Sequence, residues 1–113
     1  MHRPGTDPEN VQMSDILCDF CLRAWTEGLP LVEGHRGAVI CGFCLTEAYR
    51  VVEVRREGNA PAGYTCVLCL EQRKDKGWRN PAGTDACACA RCVRQSAGVL
   101  VKDPDWKWEK PRD

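Results

Sequence analysis

Nine cysteines carry the evident chemistry of this chain, and eight of them fall in four Cys-x2-Cys pairs: Cys18/Cys21, Cys41/Cys44, Cys66/Cys69 and Cys89/Cys92, with Cys87 standing alone. Two such pairs supply four soft thiolates, enough to close a tetrahedron around a d10 cation. The intervals point to a duplicated site. Nineteen residues lie between Cys21 and Cys41 and again 19 between Cys69 and Cys89, and every cysteine of the first two pairs recurs 48 positions later. Zinc is the expected ion, two per chain, with Cys18, Cys21, Cys41 and Cys44 as one set and Cys66, Cys69, Cys89 and Cys92 as the other. The odd cysteine count argues against a closed disulfide set. A rubredoxin-like iron site is the alternative metal reading, and a thioredoxin-like redox pair lacks its βαβ surroundings. Cys87 competes with Cys89 for the second site, but Cys89 alone keeps both the pair spacing and the 19-residue interval.

Elements must bring these pairs together. Leu29–Val32 and Ala38–Ile40 are apolar runs around Gly34-His35-Arg36-Gly37, which predicts a hairpin. After Cys41, the apolar residues Leu45, Ala48, Tyr49 and Val52 follow helical spacing, with Arg55 and Arg56 late in the segment and Gly58 as the expected stop. The second half repeats this plan, with a turn at Asn80-Pro81-Ala82-Gly83 and a helix from Ala90 to Val101 that presents Val93, Ala97 and Leu100 and ends at Asp103-Pro104. Apolar residues also repeat at the 48-residue offset: Leu22 with Leu70, Leu45 with Val93, Val52 with Leu100. The expected unit is knuckle, β-hairpin, knuckle, helix.

A chain of 113 residues with 43% hydrophobic and 7% aromatic side chains leaves no room for a large catalytic module and predicts a thin core. The expected organisation is a disordered head (1–13), a first unit (14–57), a small-residue linker (58–63), a second unit (64–102) and a tail (103–113). Units of this size need a staple to fold, which metal would supply. No apolar h-region opens the chain and no apolar run is long enough to cross a bilayer, so a cytoplasmic protein without membrane association is expected, in a compartment that keeps thiols free. His2 and His35 lie away from ligand spacing and are read as surface residues. No Ser/His/Asp set, phosphate loop or carboxylate pair is present, and four thiolates leave no open coordination position, so no enzyme is expected.

The stretches Ile16-Leu17-Cys18-Asp19-Phe20-Cys21 and Val39-Ile40-Cys41-Gly42-Phe43-Cys44-Leu45, followed by an amphipathic helix, resemble the N-terminal zinc-binding domain of the ClpX unfoldase family. The resemblance covers about residues 15–55, and 66–101 by cysteine spacing. It implies a fold class of small metal-stabilised α+β, two tandem treble-clef-like zinc fingers, with the eight paired cysteines as ligands. It further implies protein dimerisation and the binding of substrates or adaptors in protein quality control. Leu22 stands where the family often has Gly, and no AAA+ motor follows the fingers, so unfoldase activity is not implied. Duplication of a dimerising module predicts a monomer packed as an intramolecular pseudo-dimer, with a homodimer as the alternative.

Charge bears on the partner. The chain carries 16 basic and 16 acidic residues, and eight thiolates around two dications would leave four surplus negative charges, which disfavours general phosphate binding. A protein partner is therefore expected. A nucleic-acid-binding regulator is second, resting on a basic face of Arg73, Lys74, Lys76, Arg79, Arg91 and Arg94. Thiol redox or metal delivery is a third class. In the tail, Trp106 and Trp108 either fold back onto the core or serve as a ligand for a partner groove, while Trp25 and Trp78 are expected in the core.

Overall fold

The first and third cysteine pairs are tight turns fixed by their own backbone. Leu22 N–H donates to Cys18 O and Leu70 N–H to Cys66 O, each at 2.8 Å, and both leucines sit at positive φ, 66° and 64°. That conformation crowds Cβ against the backbone, and glycine alone adopts it freely. Both side chains are exposed, so little packing opposes their removal. Leu22→Gly and Leu70→Gly are expected to leave stability unchanged or raise it by up to about 1 kcal/mol each, the relief of strain offsetting the extra unfolded-state entropy. The β-branched Leu22→Val should instead lower it. Denaturant midpoints of the metal-loaded protein check both.

The structure, a computed structural model, describes residues 1–113. Strand β1 (Leu31–Glu33) pairs antiparallel with β2 (Val39–Cys41), Val32 opposite Ile40. Helix α1 (Gly42–Tyr49) follows and runs on through a wider π turn, Arg50–Val54. Strand β3 (Gly77–Arg79) pairs antiparallel with β4 (Cys87–Cys89), Trp78 opposite Ala88, and α2 (Ala90–Lys102) completes the fold. The result is a small α+β protein with two separate two-stranded sheets. Strands β2 and β4 are 48 residues apart, as their cysteines require, but β1 and β3 are not. Nine residues separate Cys21 from β1 and five form its turn, whereas seven separate Cys69 from β3 and seven form its turn. The constant 19-residue interval therefore hides a two-residue shift of one strand.

Residues near the two hairpin tips hold the repeats together reciprocally. Backbone N–H of His35, in the first turn, donates to Leu68 O in the second knuckle at 2.9 Å, and Thr84 N–H from the second turn donates to Phe20 O in the first knuckle at 3.0 Å. Phe20 and Leu68 are equivalent under the 48-residue offset, so the same join is built twice. Both tips need glycine for this approach. A Cβ on Gly34 would lie 2.7 Å from Leu68 O, and one on Gly83 would collide with Phe20 O. Thr84 Oγ1 also donates to Asp19 O at 2.5 Å. Between the tips, the rings of Phe20 and Trp78, both buried, meet at 5.6 Å. Helices α1 and α2 pack side by side, burying Leu45, Ala48 and Val52 with Val93, Ala97 and Leu100, and Arg94 reaches Glu53 at 2.8 Å. One core runs through both units.

Several expectations differ from the structure. The head expected to be disordered lies against the first knuckle: Leu17 N–H donates to Met1 O at 2.7 Å and Arg3 N–H to Asp15 O at 2.6 Å. The first helical segment ends at Val54 and the chain turns at Arg56, which takes φ 56°, before it reaches Gly58; Glu57 N–H then folds back to Val51 O at 2.9 Å. The linker is bound to β3, because the Asn59 side chain donates to Arg79 O at 2.7 Å and accepts from Arg79 N–H at 2.8 Å. Trp25 is only half-buried, while Trp78 is in the core as expected. The tail folds back, as one of its two expected dispositions had it, with Trp108 Nε1 donating to Thr46 Oγ1 at 2.9 Å and its ring edge-on to Tyr49 at 6.4 Å. No helix is long and apolar enough to cross a membrane.

Candidate metal centres

Backbone geometry delivers the eight paired sulfurs to two points. Each knuckle turn presents one pair, and each strand-to-helix junction presents the other, so that Cys41 and Cys89 cap the helices: the Cys41 sulfur accepts from Cys44 N–H at 3.5 Å and the Cys89 sulfur from Cys92 N–H at 3.4 Å. Sulfurs of Cys18, Cys21, Cys41 and Cys44 all lie within 4.8 Å of one another, and so do those of Cys66, Cys69, Cys89 and Cys92. Individual edges are 3.8 Å for Cys18–Cys44, 3.6 Å for Cys21–Cys41 and 4.0 Å for Cys69–Cys89. A tetrahedron with metal–sulfur bonds of about 2.3 Å has edges of about 3.8 Å. The donor sets therefore fit two tetrahedral metal ions, one per unit.

The surroundings donate to sulfur rather than accept from it. In the first site the Cys18 sulfur receives the N–H groups of Phe20 and Cys41, each at 3.4 Å. Arg23 donates to Cys21 at 3.2 Å and Asn80 to Cys44 at 3.7 Å. In the second site the Cys66 sulfur receives Cys89 N–H at 3.3 Å, and the nearby Cys69, followed by Glu71, raises the pKa of the Arg91 guanidinium. Such donors disperse thiolate charge and orient the ligands. Sequence reasoning did not assign these donors: Arg23 is two residues from a ligand and could have been found, but Asn80 comes from the other repeat and only the packing of the two units brings it in.

Without a cation, four crowded sulfurs cannot all ionise. Cys41 is held down to about 3 by hydrogen bonding from Cys18, with a contribution from Cys44, whereas Cys44 is driven far above the thiol range by its hydrogen bonds with Cys18 and Cys41. In the second cluster Cys66 is held down to about 4 by its hydrogen bond with Cys89, which is itself raised by that bond, and burial pushes Cys92 up to about 12. Near neutral pH the depressed thiols are charged and the raised ones keep their protons. A tetrathiolate metal must displace at least the Cys44 proton from the first site and those of Cys89 and Cys92 from the second. Affinity at each site is then expected to fall as pH falls, by about tenfold or more per pH unit. Chelator competition at two pH values one unit apart checks this.

Cys87 lies outside both clusters. It is buried, donates to Asp85 O at 3.6 Å, and burial pushes its thiol up. His2 and His35 are exposed. The basic side chains of the second unit are largely spent on ion pairs: Arg73 with Asp75 and Glu71 at 2.9 Å each, Arg91 with Glu71 at 3.1 Å, Arg79 with Asp85 at 3.6 Å. Arg94 pairs with Glu53 and Lys76 bonds the Arg56 carbonyl, leaving Lys74 without a partner.

No protein-family model matches the chain, and no curated protein or solved structure matches it either.

Proposed function

We propose that the chain is a non-catalytic, zinc-binding protein-interaction module: two tandem treble-clef fingers of the kind that resembles the ClpX zinc-binding domain, locked face to face as an intramolecular pseudo-dimer. The buried thiolates at knuckle turns and helix caps, closed on all four sides, make a structural site with no position for water or substrate, and zinc is the usual occupant of such structural tetrathiolate sites. One observation carries the reading beyond metal binding. The reciprocal join of His35 to Leu68 and Thr84 to Phe20 is the self-complementary pattern of a two-fold dimer, built within one chain. A duplicated dimerising module that has internalised its partner remains a monomer, and light scattering at micromolar concentration is expected to give the monomer mass. Reducing conditions suit eight free thiolates and support a cytoplasmic location.

The nucleic-acid reading has less support, because four of the six basic residues it rests on are paired with Glu53, Glu71, Asp75 and Asp85. Fluorescence anisotropy of the zinc-loaded chain tests both. Labelled, carboxymethylated lactalbumin, which is permanently unfolded, is expected to bind, and chelation should abolish binding. Duplex DNA and single-stranded RNA are expected not to bind even at low salt, where phosphate binding is strongest. Salt-sensitive nucleic-acid binding with no affinity for the unfolded protein would reverse the assignment.

A further inference from the structure

The pseudo-symmetry builds two grooves, each between the helix of one repeat and the hairpin of the other. The first, of about 870 Å³, runs between Phe43, Glu47, Val51 and Arg55 on the first helical segment and Trp78 with the 80–82 turn. Its counterpart, about 470 Å³, runs between Arg91, Gln95 and Val99 on α2 and the segment 32–35. Helix positions correspond at the 48-residue offset: Phe43 with Arg91, Glu47 with Gln95, Val51 with Val99.

The two have diverged at the leading position. In the second groove the leading position is Arg91, ion-paired with Glu71, the residue equivalent to Arg23. In the first, Phe43 is 62% exposed, and the Arg23 guanidinium lies over its ring at 4.6 Å. The exposed ring lines the groove together with Val51 and Trp78, and apolar surface that is contiguous in this way marks a contact site where a lone exposed side chain would not. Glu47 is neutralised by Arg50 at 2.5 Å, and Arg55 is exposed with no acidic partner, so the free charge along the groove is positive.

The chain itself shows what this face accepts. Trp108 packs beside the groove on Thr46 and Tyr49, and forms one wall of an adjoining cleft that shares Phe43 and Thr46 with the groove. It arrives on a segment, residues 103–109, with three acids and one lysine. We propose that the groove between α1 and the second hairpin docks a partner peptide of the same chemistry: an aromatic anchor packed on Phe43 and Val51, with flanking carboxylates drawn to Arg23 and Arg55. The proposal rests on the protein-interaction reading and names its site and ligand class.

The probe is a labelled decapeptide with two tryptophans separated by one residue among aspartates, titrated by anisotropy into the full zinc-loaded chain. Binding is expected, with versions carrying lysine for each aspartate or alanine for each tryptophan weaker by about tenfold or more. Phe43→Ala and Arg55→Glu, both exposed positions, should keep two zincs by native mass spectrometry and each lower affinity about tenfold, while Val99→Ala in the counterpart groove should change nothing. Unchanged affinity in the first two variants, loss in Val99→Ala, equal binding of the lysine peptide, or a concentration-dependent dimer that covers Phe43 would overturn the proposal. If unfolded lactalbumin binds and the decapeptide does not, the groove assignment alone fails; if neither binds, the interaction reading fails with it.

Discussion

Trp78→Ala is expected to lower the stability of the metal-loaded protein by about 3–5 kcal/mol, the range for emptying a buried aromatic site. Trp78 belongs to the second repeat but packs on Phe20 of the first knuckle, so the loss should appear as a single cooperative transition shifted as a whole. Gly83→Ala is the companion experiment. In an isolated finger this exposed turn would tolerate a methyl group, but here the added Cβ collides with Phe20 O, and a cost of about 1–3 kcal/mol is expected. Both variants should retain two metal ions, because neither residue is a ligand. Two separate transitions, with only one shifted, would mean that the repeats fold independently.

Removing a metal should have the larger effect. Each repeat is about 40 residues long, and its buried interior consists in good part of its own cysteines. Without the ion, the sulfurs of Cys66, Cys69, Cys89 and Cys92 are crowded polar groups in place of a core. Structural zinc contributes on the order of 10–16 kcal/mol of apparent binding energy in small fingers, more than a domain of this size holds in reserve. Cys66→Ser is therefore expected to unfold the second repeat at ambient temperature. It should also destabilise the first, which loses the Asn80 donor to Cys44 and the Trp78 ring against Phe20. Circular dichroism and metal counting on the same sample check this. A variant that keeps its helical signal with one metal bound would show that the core suffices without the ion.

The sequence made the ligands legible for a chemical reason. Cysteine alone binds metal as a thiolate, and Cys-x2-Cys is the spacing at which one turn offers two of them, so the repeat shows before any folding is considered. The helices were legible where an apolar stripe follows a capping cysteine, as at Leu45, Ala48 and Val52. What stayed hidden depends on contacts between distant residues. The two-residue displacement of β3 relative to β1 is invisible in an interval that stays at 19, because a longer turn compensates a shorter approach. Leu22, Leu70 and Arg56 take left-handed backbone that glycine would have advertised. Trp25 and Trp78 look alike in sequence, yet only Trp78 faces a ring across the seam between repeats. The seam itself depends on Gly34 and Gly83, which a local reading assigns to turns and nothing more.

The most direct test of two four-cysteine metal centres, with Cys89 and not Cys87 in the second, is native mass spectrometry of the zinc-replete wild type beside Cys87→Ser and Cys89→Ser. Two zincs in wild type and in Cys87→Ser, with one in Cys89→Ser, is the predicted result. A single zinc or an iron in the wild type, or loss of an ion in Cys87→Ser, would contradict the paired-site account and the pseudo-dimer built on it.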